Sequence, residues 1–330
     1  MIGISYAGNS QLYAASTQPP SLAAIAPMSV LDTVYDSVLY PGGIYNDGFA
    51  ESWATNVGED AGAYGQGWEQ AVVDEGGELG EQCEANQALR SQNPQLAELA
   101  QAYPFYDPAL ADPLTATTFA ERIAVPVFLA GAWQDEQTGG HWPAIVDDLA
   151  NSEDLHVSMT NGNHGESLTP ENLQRWFEFL DFYVAERIPE VPPLIRVGAP
   201  EVLVSQFGPG DYTIPADRFT DAASYEDALA EYQAEDDVRV MYENGNGGEP
   251  LVAGPSFSET YEAWPPPEVE PTTLWMQPDG SLGDDPSDAD EAAEGAATEW
   301  AYDQAEGQLT NIPDGGYSFS SEQPHDWRQV

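Results

Sequence analysis

The run Gly3-Ile4-Ser5-Tyr6-Ala7-Gly8 narrows the architectures open to this chain more than any other segment. A serine on a sharp strand-to-helix turn has its hydroxyl pushed out at the carboxyl edge of a parallel sheet. The backbone N–H groups that follow, at the helix N-terminus, can then stabilise a developing oxyanion. Glycine at 3 and a small residue at 7 are needed, because side chains there would collide with the neighbouring strand and helix. Ala7 departs from the strict G-x-S-x-G form but is still small, and Gly8 follows it. Residues 10–17 read as helix, stopped by Pro19-Pro20. Residues 22–28, with Ile25, read as a short buried parallel strand. Glycine–serine turns also occur as plain structure, so the chemistry depends on partners later in the chain.

Two later segments supply them. Residues 125–131 predict a central strand that runs into Ala132-Trp133-Gln134-Asp135, placing an acid just past a strand end, where α/β sites lie. After a helix over 142–149, the strand 155–159 runs into Thr160-Asn161-Gly162-Asn163-His164-Gly165, a histidine on a glycine-bracketed loop. A serine hydroxyl needs a base to take its proton, and the imidazole needs an acid to fix its tautomer and stabilise the imidazolium. Ser5, Asp135 and His164 occur in the order that nucleophile elbows of this kind require. Glu136 is an alternative acid. Thr169-Pro170 then opens a further helix, with a side-chain cap and proline in the first turn. Leu173, Trp176, Phe177, Leu180 and Val184 form its apolar face.

Between these parts the parallel pattern breaks. From about 32 to 118, Gly- and aromatic-rich loops alternate with helical pieces at 78–91 and 95–102, as in a helical insertion. Pro192-Pro193 and the Gly/Pro/Asp-rich stretch 208–221 read as linker. From Val238 onward, β-like runs at 238–242, 257–263 and 272–276, separated by turns such as Pro278-Asp279-Gly280, suggest an antiparallel sandwich or jelly roll. The expected domains are therefore an α/β core at 1–31 and 119–190, a helical cap at 32–118, a linker at 191–236, and an incomplete β-sandwich at 237–330.

Charge excludes several functions. With 57 Asp+Glu against 8 Lys+Arg, all arginine, the net charge is −49. Such a surface repels phosphate backbones and anionic headgroups, so neither nucleic acid nor membrane is an expected partner. Hydrophobic residues at 42% suffice for a core, so the acidity belongs to a folded surface. It suits adaptation to high salt, where ions screen the repulsion between carboxylates. A single cysteine, Cys83, excludes an intrachain disulfide and a multi-cysteine metal site. The four histidines have no metal-ligand spacing: His141 reads as a surface residue, His156 as structural and His325 as part of a polar tail. The acidic run 284–294 lacks the glycine and alternating ligands of a calcium loop. Neither metal nor organic cofactor is expected. Tyr45, Trp53, Trp68, Tyr106, Trp133 and Trp142 could shape an apolar acyl pocket or simply be core. No apolar run approaches the length of a membrane helix. No basic-then-apolar leader follows Met1, and cytoplasmic and secreted locations both stay open.

The run from Gly3 to Asn9, then Gln18-Pro19-Pro20-Ser21-Leu22-Ala23-Ala24-Ile25-Ala26-Pro27-Met28, then Leu39-Tyr40-Pro41-Gly42-Gly43, resembles the CocE/NonD hydrolases, relatives of cocaine esterase and X-Pro dipeptidyl peptidase. Trp264-Pro265-Pro266-Pro267 and Trp275-Met276-Gln277-Pro278-Asp279-Gly280-Ser281-Leu282 resemble the start of that family's C-terminal jelly roll. The likeness implies an α/β-hydrolase core, a helical cap and a β-sandwich, with Ser5 as nucleophile, Asp135 as triad acid and His164 as base. It also implies a second oxyanion donor, a tyrosine hydroxyl from a region before Ser5, that is not in this chain, leaving the Tyr6 N–H. The chain is thus expected to be a fragment whose sheet lies open beside residues 125–131. The function expected is a serine hydrolase acting on a small ester or peptide substrate, with a homo-oligomer allowed. The alternative is a non-catalytic acidic β-sandwich scaffold carrying a remnant hydrolase domain.

Overall fold

The computed structural model describes residues 1–242, 255, 257–276, 282–284, 301–303 and 308–310. They fall into two units, Met1–Trp264 and Pro265–Val330. The first is built on a sheet of β1 (Ile2–Ile4), β2 (Ala26–Met28), β3 (Val127–Ala132), β4 (Leu155–Thr160), β5 (Val238–Tyr242) and β6 (Phe257–Tyr261), side by side in chain order. The first five strands are parallel, and β6 returns antiparallel to β5. Among the helices, α1 (Tyr6–Ser16) links β1 to β2. Five more, α2 (Phe49–Ala61), α3 (Glu69–Glu75), α4 (Gly77–Arg90), α5 (Leu96–Ala102) and α6 (Pro108–Ala111), lie in the long β2–β3 connection. Then α7 (Pro170–Leu180), α8 (Pro193–Phe207) and α9 (Tyr225–Tyr232) lie between β4 and β5.

All six residues of β3 are buried, as expected of a strand covered on both faces. Alternation along it divides the core. Val127 and Leu129 join Leu12, Ile25, Trp142, Ile145 and Leu149 on one side. Phe128 and Ala130 join Phe179, Phe182, Phe219 and Tyr232 on the other. Each such ring contributes about 1.5–3 kcal/mol of burial. In β2, Pro27 has no N–H to give, and pairing with β3 shrinks to Met28–Ala130 plus a bridge at Ile25–Val127.

Several expectations need correction. The strands at 238–242 and 257–261 do not open a separate β-domain; they complete the main sheet, Val157 pairing with Val238 and Tyr242 with Phe257. Their apolar alternation fits one more parallel strand and an antiparallel edge equally well. In the second unit the described strands are two antiparallel pairs, β7 (Trp275–Met276) with β8 (Leu282–Gly283) and β9 (Ala301–Asp303) with β10 (Gln308–Thr310). The rest of the expected sandwich, His325 and most of the acidic run 284–294 lie outside the described residues. The expected linker holds two helices: Pro193 does not punctuate a loop but occupies the first turn of α8, where a missing N–H costs nothing. Residues 142–149 form 3₁₀ turns rather than an α-helix.

Trp176 and Leu180 of the expected face of α7 pack on the core, but the helix also buries polar residues. It buries Asn172, Gln174, Glu178 and Phe179, and Val184 is exposed. The helix passes into a π-turn at Asp181–Ala185, which shifts the phase by part of a residue spacing. The stretch after α8 covers its polar side: Arg218 holds Glu178 at 2.6 Å, and the Ala216 carbonyl accepts from Gln174 at 2.5 Å. Thr169 makes no side-chain cap, and its hydroxyl is buried without a partner. The open edge is also elsewhere than expected. β3 lies inside the sheet, and β1 is the margin. Ala26 N–H bonds the Met1 carbonyl and Ser5 N–H the Met28 carbonyl. The odd-numbered residues of β1 thus face β2, and the N–H and C=O groups of Ile2 and Ile4 point outward.

Candidate active site

Ser5 joins β1 to α1 with φ 62° and ψ −125°, a conformation that a non-glycine residue holds at a cost of about 1–3 kcal/mol. Its N–H bonds the Met28 carbonyl at 2.8 Å and its carbonyl accepts from Asn9 N–H at 2.9 Å, so both neighbouring elements fix the turn. The small residues around it are set by contact. A Cβ on Gly3 would lie 2.6 Å from the Ala7 Cβ, and one on Gly8 would lie 2.5 Å from the Met28 carbonyl oxygen. Gly8→Ala must push α1 off β2, and a loss of about 1–3 kcal/mol is expected in denaturant unfolding. An unchanged midpoint would mean that the helix shifts freely. Tyr6, the first residue of α1, has an N–H with no acceptor within the helix.

Two strands along, β3 and β4 end side by side, with Ala132 opposite Thr160. Asp135 and His164 stand on the loops that follow. The Asp135 carboxylate contacts His164 Nδ1 at 2.8 Å through Oδ2 and 3.0 Å through Oδ1. Three further donors hold it: Gln137 N–H and Thr138 N–H at 2.8 Å each, and the Thr138 hydroxyl at 2.5 Å. Burial by itself would raise the Asp135 pKa. The hydrogen bonds from His164, Thr138 and Gln137 outweigh it and leave the carboxyl below its ordinary value. A pKa lower in the folded than in the unfolded state adds stability above roughly pH 4, the unfolded value, and that stability is lost as pH falls through the folded one. Asp135→Asn should therefore lower the Tm at pH 7, with the gap to wild type closing on acidification. A gap that stays constant to pH 3 would assign the effect to another group.

Glu136, the alternative acid, is placed differently: its Oε2 accepts the backbone N–H of His164 at 3.0 Å. The histidine loop begins a 3₁₀ helix, His164–Leu168, closed by a capping box between Asn163 and Glu166. That Asn-x-x-Glu signal was readable in the sequence, as was the short Asp-x-x-Thr turn at 135–138. Ser29 carried no such signal. Held at φ 48°, it donates its hydroxyl to the His164 carbonyl at 3.0 Å and contacts the Ser167 hydroxyl. β2, which anchors Ser5, is in this way tied to the histidine loop. No hydrogen bond joins the Ser5 hydroxyl to His164 among the described residues.

Four of the six aromatic pocket candidates separate clearly. Trp53 is exposed and its ring lies 6.1 Å from that of Tyr6, next to the Ser5 turn. Tyr45 packs on Tyr40 within the β2–β3 connection. Trp133 packs against the core beside Trp264. Trp142 is not a pocket residue: it is fully buried over Gly131, where a Cβ would meet its ring at 2.4 Å. His141 is largely exposed, 3.8 Å from Asp32, and no group of three metal-ligating side chains occurs among the described residues.

The sequence pattern of the S15 family, described as X-Pro dipeptidyl-peptidase, matches residues 1–166, half of the chain, including Ser5, Asp135 and His164. The chain belongs to this family. The CocE/NonD resemblance holds in structure as well. A CocE/NonD family hydrolase from Staphylococcus aureus superposes with a TM-score of 0.52 at 18% identity, over 86% of this chain and 38% of that one. A second crystal structure of it gives 0.51 at 18%, over 86% and 37%. At that identity the likeness establishes the fold. An aminopeptidase from a marine-sediment Thaumarchaeota archaeon, 16% identical over 92% of this chain and 43% of that one, has a TM-score of 0.45, too loose to argue from. The S15 chain thus spans under two-fifths of the S. aureus hydrolase. No curated protein matches it.

Proposed function

We propose that the chain carries the catalytic centre of a serine hydrolase that cleaves ester or amide bonds, X-Pro dipeptidyl bonds among them, through an acyl-enzyme. The observation that carries this reading is the buried Asp135 carboxylate on His164 Nδ1 at 2.8 Å, with Ser5 held in a strained turn at the same sheet edge. In this mechanism His164 Nε2 takes the Ser5 proton as Oγ attacks the substrate carbonyl carbon. The Tyr6 N–H faces the oxyanion, and His164 returns the proton to the leaving alcohol or amine. Water, activated by the same imidazole, then releases the acid and frees Ser5. Asp135 holds the ring's tautomer and stabilises the imidazolium. Trp53, beside Tyr6, is the aromatic best placed to meet an acyl group. In domain terms, the sheet is an α/β-hydrolase core, the helices between β2 and β3 are its cap, and the second unit belongs to a C-terminal β-sandwich.

A fluorophosphonate probe tests the reading, since phosphonylation needs an activated serine. Labelling is expected at Ser5, identified by peptide mass and lost in His164→Ala. Parallel assays with a p-nitrophenyl ester and an Ala-Pro p-nitroanilide separate esterase from dipeptidyl activity. The absence of a hydrogen bond between Ser5 and His164 favours one other reading, a remnant hydrolase domain in an acidic scaffold protein. A chain left unlabelled would support it, although such bonds are often long before substrate binds.

A further inference from the structure

At the opposite end of the strands from Ser5 lies a second cleft, of about 350 Å³. His156 and Arg239, the second residues of β4 and β5, line its floor with Arg175 of α7, and Asp236 and Asp237 stand at its mouth. We propose that this cleft binds a zwitterion, a free amino acid or a short peptide, with its carboxylate inward against the arginines and its ammonium toward the aspartates.

Arg239 is the under-partnered cation of the floor. In a chain with 57 acidic residues, Arg239 makes no ion pair within 4 Å among the described residues; its one hydrogen bond goes to the Ser258 hydroxyl at 3.2 Å. Arg175 spends one nitrogen on Glu235 at 2.5 Å, but its Nε is buried without a partner. His156 is 8% exposed, its ring lies 4.0 Å from that of Tyr232, and its Nε2 is buried with no hydrogen bond. Asp154 Oδ1 sits 3.3 Å from that nitrogen but outside hydrogen-bonding geometry. A buried cation without an acceptor is costly, and an incoming carboxylate would supply Arg239 with one, Arg175 lying in the same lining.

The mouth has the reverse need. Asp236 and Asp237 are both exposed; Asp236 accepts the Thr260 hydroxyl, and the Asp237 carboxylate has no hydrogen-bonded partner among the described residues. Glu235, also lining the cleft, is engaged by Arg175 and Arg218. Glu171, the carboxyl acting most strongly on Arg239, forms no ion pair with it within 4 Å among the described residues. A simple anion must pass the two aspartates, and a simple amine meets the arginines. Only a ligand with both charges satisfies both ends.

Calorimetric titration of the 330-residue chain at constant ionic strength tests this, with L-alanine and alanylalanine as probes and propionate and ethylamine as their halves. At least one of the two zwitterions should bind saturably, with each half-ligand weaker by at least about tenfold. Arg239→Gln should weaken zwitterion binding by about tenfold or more. Asp237→Asn, at an exposed position where folding is not in question, should weaken the zwitterion and leave propionate unchanged or tighter. Absence of saturable binding by either zwitterion, propionate as tight as alanine, or full affinity in a folded Arg239→Gln protein would each overturn the proposal.

Discussion

Ser5→Ala and His164→Ala are each expected to lower hydrolytic turnover by roughly 10⁴–10⁶-fold, with little change in KM. The loss is this large because the two act as a unit: without the base the hydroxyl stays protonated, and without the hydroxyl the base has nothing to activate. Asp135→Asn should be milder, since the imidazole stays in place and only its tautomer and its charge support are lost. Glu136→Gln is the control that separates neighbouring carboxylates. Its contact is to the backbone N–H of His164 rather than the ring, so turnover should stay within about tenfold of wild type. Near-normal turnover in Ser5→Ala or His164→Ala would end the triad reading. A larger loss from Glu136→Gln than from Asp135→Asn would move the acid's role to Glu136.

Thermal stability should rise strongly with salt. A net charge of −49 on 330 residues makes repulsion among carboxylates a net destabilising term at low salt. The range of their repulsion falls from about 10 Å at 0.1 M salt to about 3 Å at 1 M. The eight arginines are partly committed to fixed pairs, such as Arg218 with Glu178 and Glu235, and cannot neutralise the remainder. We expect the Tm to increase by about 10 °C or more between 0.1 M and 2 M KCl, equivalent to a few kcal/mol at about 2–4 °C per kcal/mol. Equal melting temperatures would leave the acidic surface without this explanation.

The site was more legible in the sequence than the fold around it. Ser5, Asp135 and His164 each follow a strand end within a few residues, and short range is where local signals are reliable. Glycines, an Asx turn and a capping box act on their own neighbours. Assigning 238–242 to the sheet required knowing what lies beside β4, which no local pattern carries. The polar residues that α7 buries beside its apolar ones are hidden from local pattern for a similar reason. Glu178 and Gln174 find their partners, Arg218 and the Ala216 carbonyl, about forty residues later.

The bonds around Ser29 join parts that the chain keeps far apart. Ser5 hangs from Met28, Ser29 takes hold of Ala130 through its N–H and of His164 through its hydroxyl, and His164 rests on Asp135. The Ser5 turn and the histidine loop are thereby both tied to β2, and through Ser29 to β3. Opening the histidine loop or the Ser5 turn must break bonds to β2. The order of the centre is thus coupled to the order of the sheet's second strand.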